Sequence, residues 1–129
     1  MRRAVPDASA LALVAFGDPA AVEVRRQIEG AALYAPTLLR YEMLSVARKE
    51  CRRHPERVRA TLEALDRVLD PRNGITWMDP NPVDVVLIAN ATGLSTYDAS
   101  YLCLAGYLEA DLVTRDRALA AAVEPLDGR

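Results

Sequence analysis

The sequence contains one lysine, Lys49, and one histidine, His54, and each scarcity closes off a chemistry. Every other basic residue is an arginine, so a Schiff-base or phosphate-binding lysine has a single candidate, late in a helical segment. A pair of catalytic histidines is excluded, as is a zinc cluster built on two or more of them. A Ser-His-Asp triad would have to use His54, which precedes Pro55 at a helix start. Cysteine is almost absent. Cys51 and Cys103 show no Cys-x-x-Cys or metal-ligand spacing, and such scattered thiols suit a reducing cytoplasm, with Cys103 as a small core residue. Neither sign of charge is in excess: 16 basic residues stand against 18 acidic ones, for a net charge of −2. That excludes a polybasic, histone-like binder but not an enzyme acting on nucleic acid. No apolar stretch approaches the ~20 residues of a membrane span.

What is present suits a packed domain. The 129 residues are 51% hydrophobic and 26% charged, enough to bury a core, and residues 1–129 read as one domain. Arg2 and Arg3 before the apolar run from Ala8 to Phe16 resemble a short secretory leader. Pro6 and Asp7 interrupt the approach and Asp18-Pro19 closes it, so the segment reads as domain core. Strands are expected at 3–6, 32–35, 75–78 and 111–114, with a fifth around 123–126. The helix expected at 8–16 is apolar on all sides and therefore deeply buried. Asp18-Pro19 reads as the N-cap and first position of a helix ending before Gly30, and Thr37 as the cap of one reaching about Arg53. Pro55 opens another, with Val58, Leu62, Leu65 and Leu69 on one stripe, and Pro71 ends it. Further helices are expected at 82–92, closed by Gly93, and at 98–108 and 117–122. This alternation implies a three-layer α/β/α domain around a central parallel sheet of four to five strands.

In open parallel sheets, ligands collect beyond the carboxyl ends of the strands. Asp7 follows the first strand, Asp116 follows Leu112-Val113-Thr114, and Asp98 opens a helix after Ser95-Thr96-Tyr97. Each also fits a helix N-cap, so none is diagnostic alone. Glu42 differs. On its helix it lies in the row Leu38, Glu42, Val46, flanked by Leu39 and Met43, while Arg40, Arg48 and Lys49 take the outer positions. A carboxylate on an apolar face is costly unless it is paired or binds a cation. Either it pairs with an arginine such as Arg115, or several carboxylates share a divalent ion. Four converging carboxylates would raise one another's pKa values, a conflict that Mg2+ or Mn2+ removes, since hard cations take oxygen ligands and keep waters. Such a site activates water and stabilises the leaving oxygen of a phosphodiester without any histidine. Ser9 and Thr114, two residues from Asp7 and Asp116, are placed to bond a carboxylate, a bound water or the local backbone. Arg40, Arg115 and Arg117 neighbour the acids, as phosphate contacts or as solvated surface. Tyr97 and Tyr101 either pack or stack on a base, and Trp77 reads as core.

In order along the chain stand Val5-Pro6-Asp7-Ala8-Ser9-Ala10-Leu11, Tyr34-Ala35-Pro36 leading to Arg40-Tyr41-Glu42, Thr96-Tyr97-Asp98-Ala99-Ser100-Tyr101-Leu102, and Leu112-Val113-Thr114-Arg115-Asp116. The set closely resembles the PIN-domain ribonucleases, specifically the VapC-like toxins of bacterial toxin–antitoxin pairs. The resemblance covers essentially the whole chain. Asp-x-Ser alone is common; the specificity lies in four acidic positions in order. The resemblance implies a parallel sheet with an acidic pocket at its carboxyl edge, where Asp7, Glu42, Asp98 and Asp116 are the metal-binding, catalytic carboxylates and Ser9 the supporting hydroxyl. It also implies Mg2+- or Mn2+-dependent endoribonuclease cleavage of RNA by a metal-activated water. Family resemblance further implies a homodimer held inactive by a cognate antitoxin that wraps the toxin and sends a basic side chain into the pocket. Pro6 stands apart, because it removes a ladder donor at the end of an interior strand.

Other readings stay open on the residues alone. A non-catalytic PIN-fold module for binding or dimerisation fits the fold but gives no reason for Glu42 on an apolar face. A phosphoryl-accepting receiver domain also gathers acids at a sheet edge, yet it favours a lysine beside the phosphate, and Lys49 lies far from any strand end. A DNA-cutting nuclease of related fold satisfies the same residues, since hydrolysis by water needs no 2′-hydroxyl.

Overall fold

Local capping chemistry sets where the elements begin and end, in a computed structural model that describes the backbone of residues 1–127 and the side chains of 1–123. In order they are β1 (Arg3–Pro6), α1 (Ala8–Ala15), α2 (Ala21–Ile28), β2 (Ala32–Ala35), α3 (Leu38–Arg53), α4 (Val58–Leu69), β3 (Ile75–Trp77), α5 (Pro82–Thr92), α6 (Thr96–Leu108), β4 (Asp111–Val113) and α7 (Arg117–Asp127). Single 3-10 turns at Pro55–Arg57 and Pro71–Asn73 lead into α4 and β3. In α5 the side chain of Asn81 accepts from the backbone N–H groups of Val83 and Asp84. Pro82 fills the first turn, where an N–H would have no partner, and Gly93 closes the helix at φ +77.

The four strands form one parallel sheet in the order β3-β2-β1-β4. Successive residues of β1 serve opposite faces. Ala4, with Val113 of β4, packs against Val24 of α2 and Ala10 of α1. Val5 belongs to the larger cluster with Tyr101, Leu102 and Leu104 of α6 and with Leu39 and Met43 of α3. Helices therefore cover both faces, which is the expected three-layer arrangement.

β1 sits at the point where the strand order reverses. The chain leaves it toward β2 on one side, and its other side receives β4, so the segments following β1 and β4 part company at the carboxyl edge. Pro6 fits this geometry. The N–H of Asp7 donates to the carbonyl of Val113 at 3.0 Å. Since successive N–H groups point to opposite sides, the donor missing at Pro6 would face β2, with which pairing has already ended at Ala4–Leu33.

Five expectations need correction. The fifth strand at 123–126 is absent, because the alanine-rich run from Arg117 carries α7 on to Asp127. Asp18 and Pro19 form a turn ahead of α2, in which Asp18 Oδ1 accepts from the N–H of Ala20 at 2.8 Å, and the helix begins at Ala21. Asp98 is not the cap of α6; the helix begins at Thr96, and Ser95 Oγ accepts from the Asp98 N–H at 3.1 Å. On α4 the inward row runs through buried Thr61 rather than Leu62, which is half exposed, since hydrophobicity alone does not choose between adjacent flanks of a stripe. Only the first half of α1 is deeply buried; Ala12, Leu13 and Phe16 line an open crevice beside α3.

Candidate active site at the carboxyl edge

Asp7 is the centre of the edge. It is 5% exposed, and both of its oxygens are held. Oδ1 accepts from Ser9 Oγ at 2.7 Å and from the Ala10 N–H at 3.1 Å, while Oδ2 accepts from the hydroxyl of Thr114. Asp7 thus caps α1, as one reading of the sequence had it, and also binds two hydroxyls from ends of the chain more than a hundred residues apart. Ser9 and Thr114 lie within 3.3 Å of each other. Ser9 Oγ accepts from the Arg115 N–H at 2.9 Å, and Thr114 Oγ1 from the Asp116 N–H at 3.0 Å. These bonds tie the turn after β4 to the start of α1.

The other three acids surround this centre from different elements. Glu42, half-buried on α3, receives the phenol proton of Tyr101 on α6 rather than an arginine. Burial is the main cause that pushes its carboxyl above the usual range, with the charges of Asp7 and Asp98 adding to the rise and the Tyr101 hydrogen bond opposing it. Asp98 is raised too, first by burial and then by the charges of Asp116 and Asp7. Asp116 is exposed and caps α7, its Oδ1 accepting from the Leu119 N–H at 3.0 Å. All four predicted carboxylates therefore lie at one edge, close enough for the charges of Asp7 and Asp98 to bear on Glu42 and those of Asp7 and Asp116 on Asp98.

The predicted arginines fare differently. The Arg40 guanidinium lies over the Trp77 ring, 5.1 Å from its centroid, at the β3 side of the edge. Arg115 and Arg117 are exposed and make no ion pair among the described residues. Sequence reasoning missed the part of Tyr101, taken there as packing or as a base-stacking ring. Two signals pointed to it: a buried tyrosine needs a partner for its hydroxyl, and Tyr101 is three residues from Asp98 on one helix face. Thr37 precedes α3 as expected but its side chain does not cap the helix; its N–H and hydroxyl both donate to Asp79, at 2.8 and 2.9 Å, fixing the start of α3 to the segment after β3.

No metal ion is part of this structure, so the fit rests on the donors. All are carboxylate oxygens, which suit a hard divalent cation, and such a cation would offset both the burial and the lesser repulsion that raise Glu42 and Asp98. Among the described residues, no three His, Cys, Asp or Glu side chains stand close enough to hold an ion as placed. Binding would have to draw the acids in toward Asp7. Two surface crevices lie away from this edge, one of about 530 Å³ between α6, β4 and α7, and one of about 460 Å³ beside α1 and α3.

An open parallel sheet with acids gathered at its switch point belongs to the α/β class whose ligands bind along the carboxyl edge. Within that class this chain belongs to the PIN-domain family, whose model matches residues 4–124. PIN domains are usually nucleases and generally use divalent metal ions. Among solved structures, the chain is similar to PAE2754 from Pyrobaculum aerophilum, at 30% sequence identity and a TM-score of 0.71, covering 94% of this chain and 86% of that one. No curated protein matches.

Proposed function

We propose that this PIN domain is a metal-dependent endoribonuclease of the toxin type, cutting RNA at Asp7, Glu42, Asp98 and Asp116 with Mg2+ or Mn2+. The observation that carries the reading is the company kept by Asp7: a buried carboxylate fastened by Ser9 and Thr114 beside Glu42 and Asp98, which burial, and then the charges of the neighbouring acids, raise. Caps need no such gathering. Asp7 supplies a fixed oxygen pair, and Glu42, Asp98 and Asp116, drawn in toward it, would complete an all-oxygen donor set. A bound divalent ion supplies a water acidified for attack and a counter-charge for the leaving oxygen. Arg40, Arg115 and Arg117 flank the acids as contacts for RNA phosphates.

The toxin reading brings partners with it. For a cognate antitoxin, the crevice beside α1 and α3 offers the apolar side chains of Leu13, Phe16 and Val46 between charges of both signs, Arg53, His54 and Arg57 with Asp18 and Glu50, a match for an amphipathic segment. For a homodimer, α5 presents Val83 and Leu87, 64% and 60% exposed, with Tyr107 of α6 nearby in the same layer. Free Cys51 and Cys103 fit a cytoplasmic setting.

The test is cleavage of a single-stranded RNA and of the DNA of the same sequence by purified protein, with Mg2+ or Mn2+ and with chelator. RNA cut only with metal, and not by Asp7→Asn, is the expected result. Cleavage of the DNA instead would make this a DNA nuclease. No cleavage of either, with no effect of metal on the melting midpoint, would leave a binding module.

A further inference from the structure

We propose that Tyr101 is a positioning residue for the acidic edge, its buried phenol fixing one oxygen of Glu42 so that the other is presented to the cation; this rests on the metal-dependent reading above. Tyr101 is 1% exposed and is the largest fully buried side chain in the described core. Packing alone would be met by phenylalanine, yet the ring carries a hydroxyl across to another helix and donates it to Glu42 Oε1. Oε2 has no hydrogen-bond partner among the described residues. Asp116, by contrast, is held by a short local contact with Leu119, and Asp7 by Ser9 and Ala10 beside it as well as by Thr114 from the far end of the chain. Glu42 has a longer side chain and no such neighbour on α3, so an unheld carboxylate there would sample several rotamers. The fixing proton comes instead from α6, three residues beyond Asp98. One helix end thereby sets two of the four acids, one by carrying it and one by holding it. Partners that orient a ligand in this way typically affect metal affinity about 10- to 100-fold.

The decisive comparison is the melting midpoint of wild type and Tyr101→Phe, each without metal and titrated with Mn2+. The expected result is a cooperative apo melt for both, with half-saturation by Mn2+ about 10- to 100-fold higher in Tyr101→Phe. At a temperature where both apo proteins are fully folded, the variant cleaves RNA slowly at low Mn2+, and raising Mn2+ restores much of the rate, which a merely structural defect would not do there. In a Glu42→Gln background, Tyr101→Phe should change the Mn2+ response no further. Equal half-saturation in wild type and Tyr101→Phe would overturn the positioning role while leaving the metal site standing. No Mn2+ response in wild type would instead reject the metal reading, and this role with it. If Tyr101→Phe does not fold, proton NMR of wild type decides: the buried phenol proton should resonate far downfield and move as Mg2+ is added. A phenol resonance unmoved at Mg2+ levels that raise the melting midpoint would equally overturn the proposal.

Discussion

Asp7 serves folding and chemistry with the same two oxygens, and the two uses can be separated by substitution. In Asp7→Asn the amide oxygen keeps the cap on Ala10, and the Thr114 hydroxyl can turn to accept from the amide nitrogen. Stability should therefore stay within about 1 kcal/mol of wild type in a urea melt, while metal-dependent cleavage is lost. Asp7→Ala removes the cap as well and should lose about 1–2 kcal/mol more. Glu42 and Asp98 predict a pH dependence of the opposite sense to most carboxylates. Their folded-state values lie above the unfolded ones, so the native state holds more protons and stability falls as pH rises through the folded values from ~4 upward. Asp98→Asn should flatten that fall and raise the apo melting midpoint at neutral pH, read from thermal melts between pH 4 and 8. A variant melting below wild type at neutral pH would show that Asp98 is stabilising, not strained. The acids themselves were legible in the sequence, because a carboxylate within an apolar row, as at Glu42, has few innocent explanations. The partner was not: an arginine and a tyrosine are equally available to it until α3 and α6 are laid side by side.

Elements were legible where chemistry is local and lost where a neighbour decides. Asn81, Pro82 and Gly93 delimit α5 to the residue, since a cap, a missing N–H and a left-handed turn act within a few positions. Leu62 and Thr61 could not be ranked in that way, because α3 determines which flank of α4 is covered. Position 98 was misread for a related reason: Ser95 and Asp98 are both competent caps, and the start of the helix settles which one acts. Ser95 is therefore the residue that anchors the end of α6 bearing Asp98 and Tyr101. Ser95→Ala should cost about 1 kcal/mol in denaturant unfolding, and Ser95→Asn should recover most of it. If alanine instead costs nothing, the end of α6 is held by packing alone.

At the scale of the whole molecule, strand and helix alternation was enough to give a parallel sheet with both faces covered, but not the count of strands, because 123–126 reads as a short strand where the helix from Arg117 in fact continues. It was equally silent about the outer surface of α5, none of whose residues is buried. If that surface joins two copies, wild type should sediment as a dimer and Val86→Asp with Leu87→Lys as a monomer. Both side chains are at least half exposed, so the double variant should shift stability by no more than about 0.5 kcal/mol per site. A monomeric wild type at high concentration would remove the dimer from the account. The hydroxyl of Thr114 on Asp7 also has a consequence in time. The first strand of the chain pairs with the last, Ala4 beside Asp111, and the acid at the end of one is clamped by the residue after the other. During synthesis β1 emerges early and must wait for nearly all the remaining chain before its neighbour exists. A growing polypeptide on the ribosome thus carries Asp7 long before it carries an assembled edge, and the edge is complete only when translation of β4 is over.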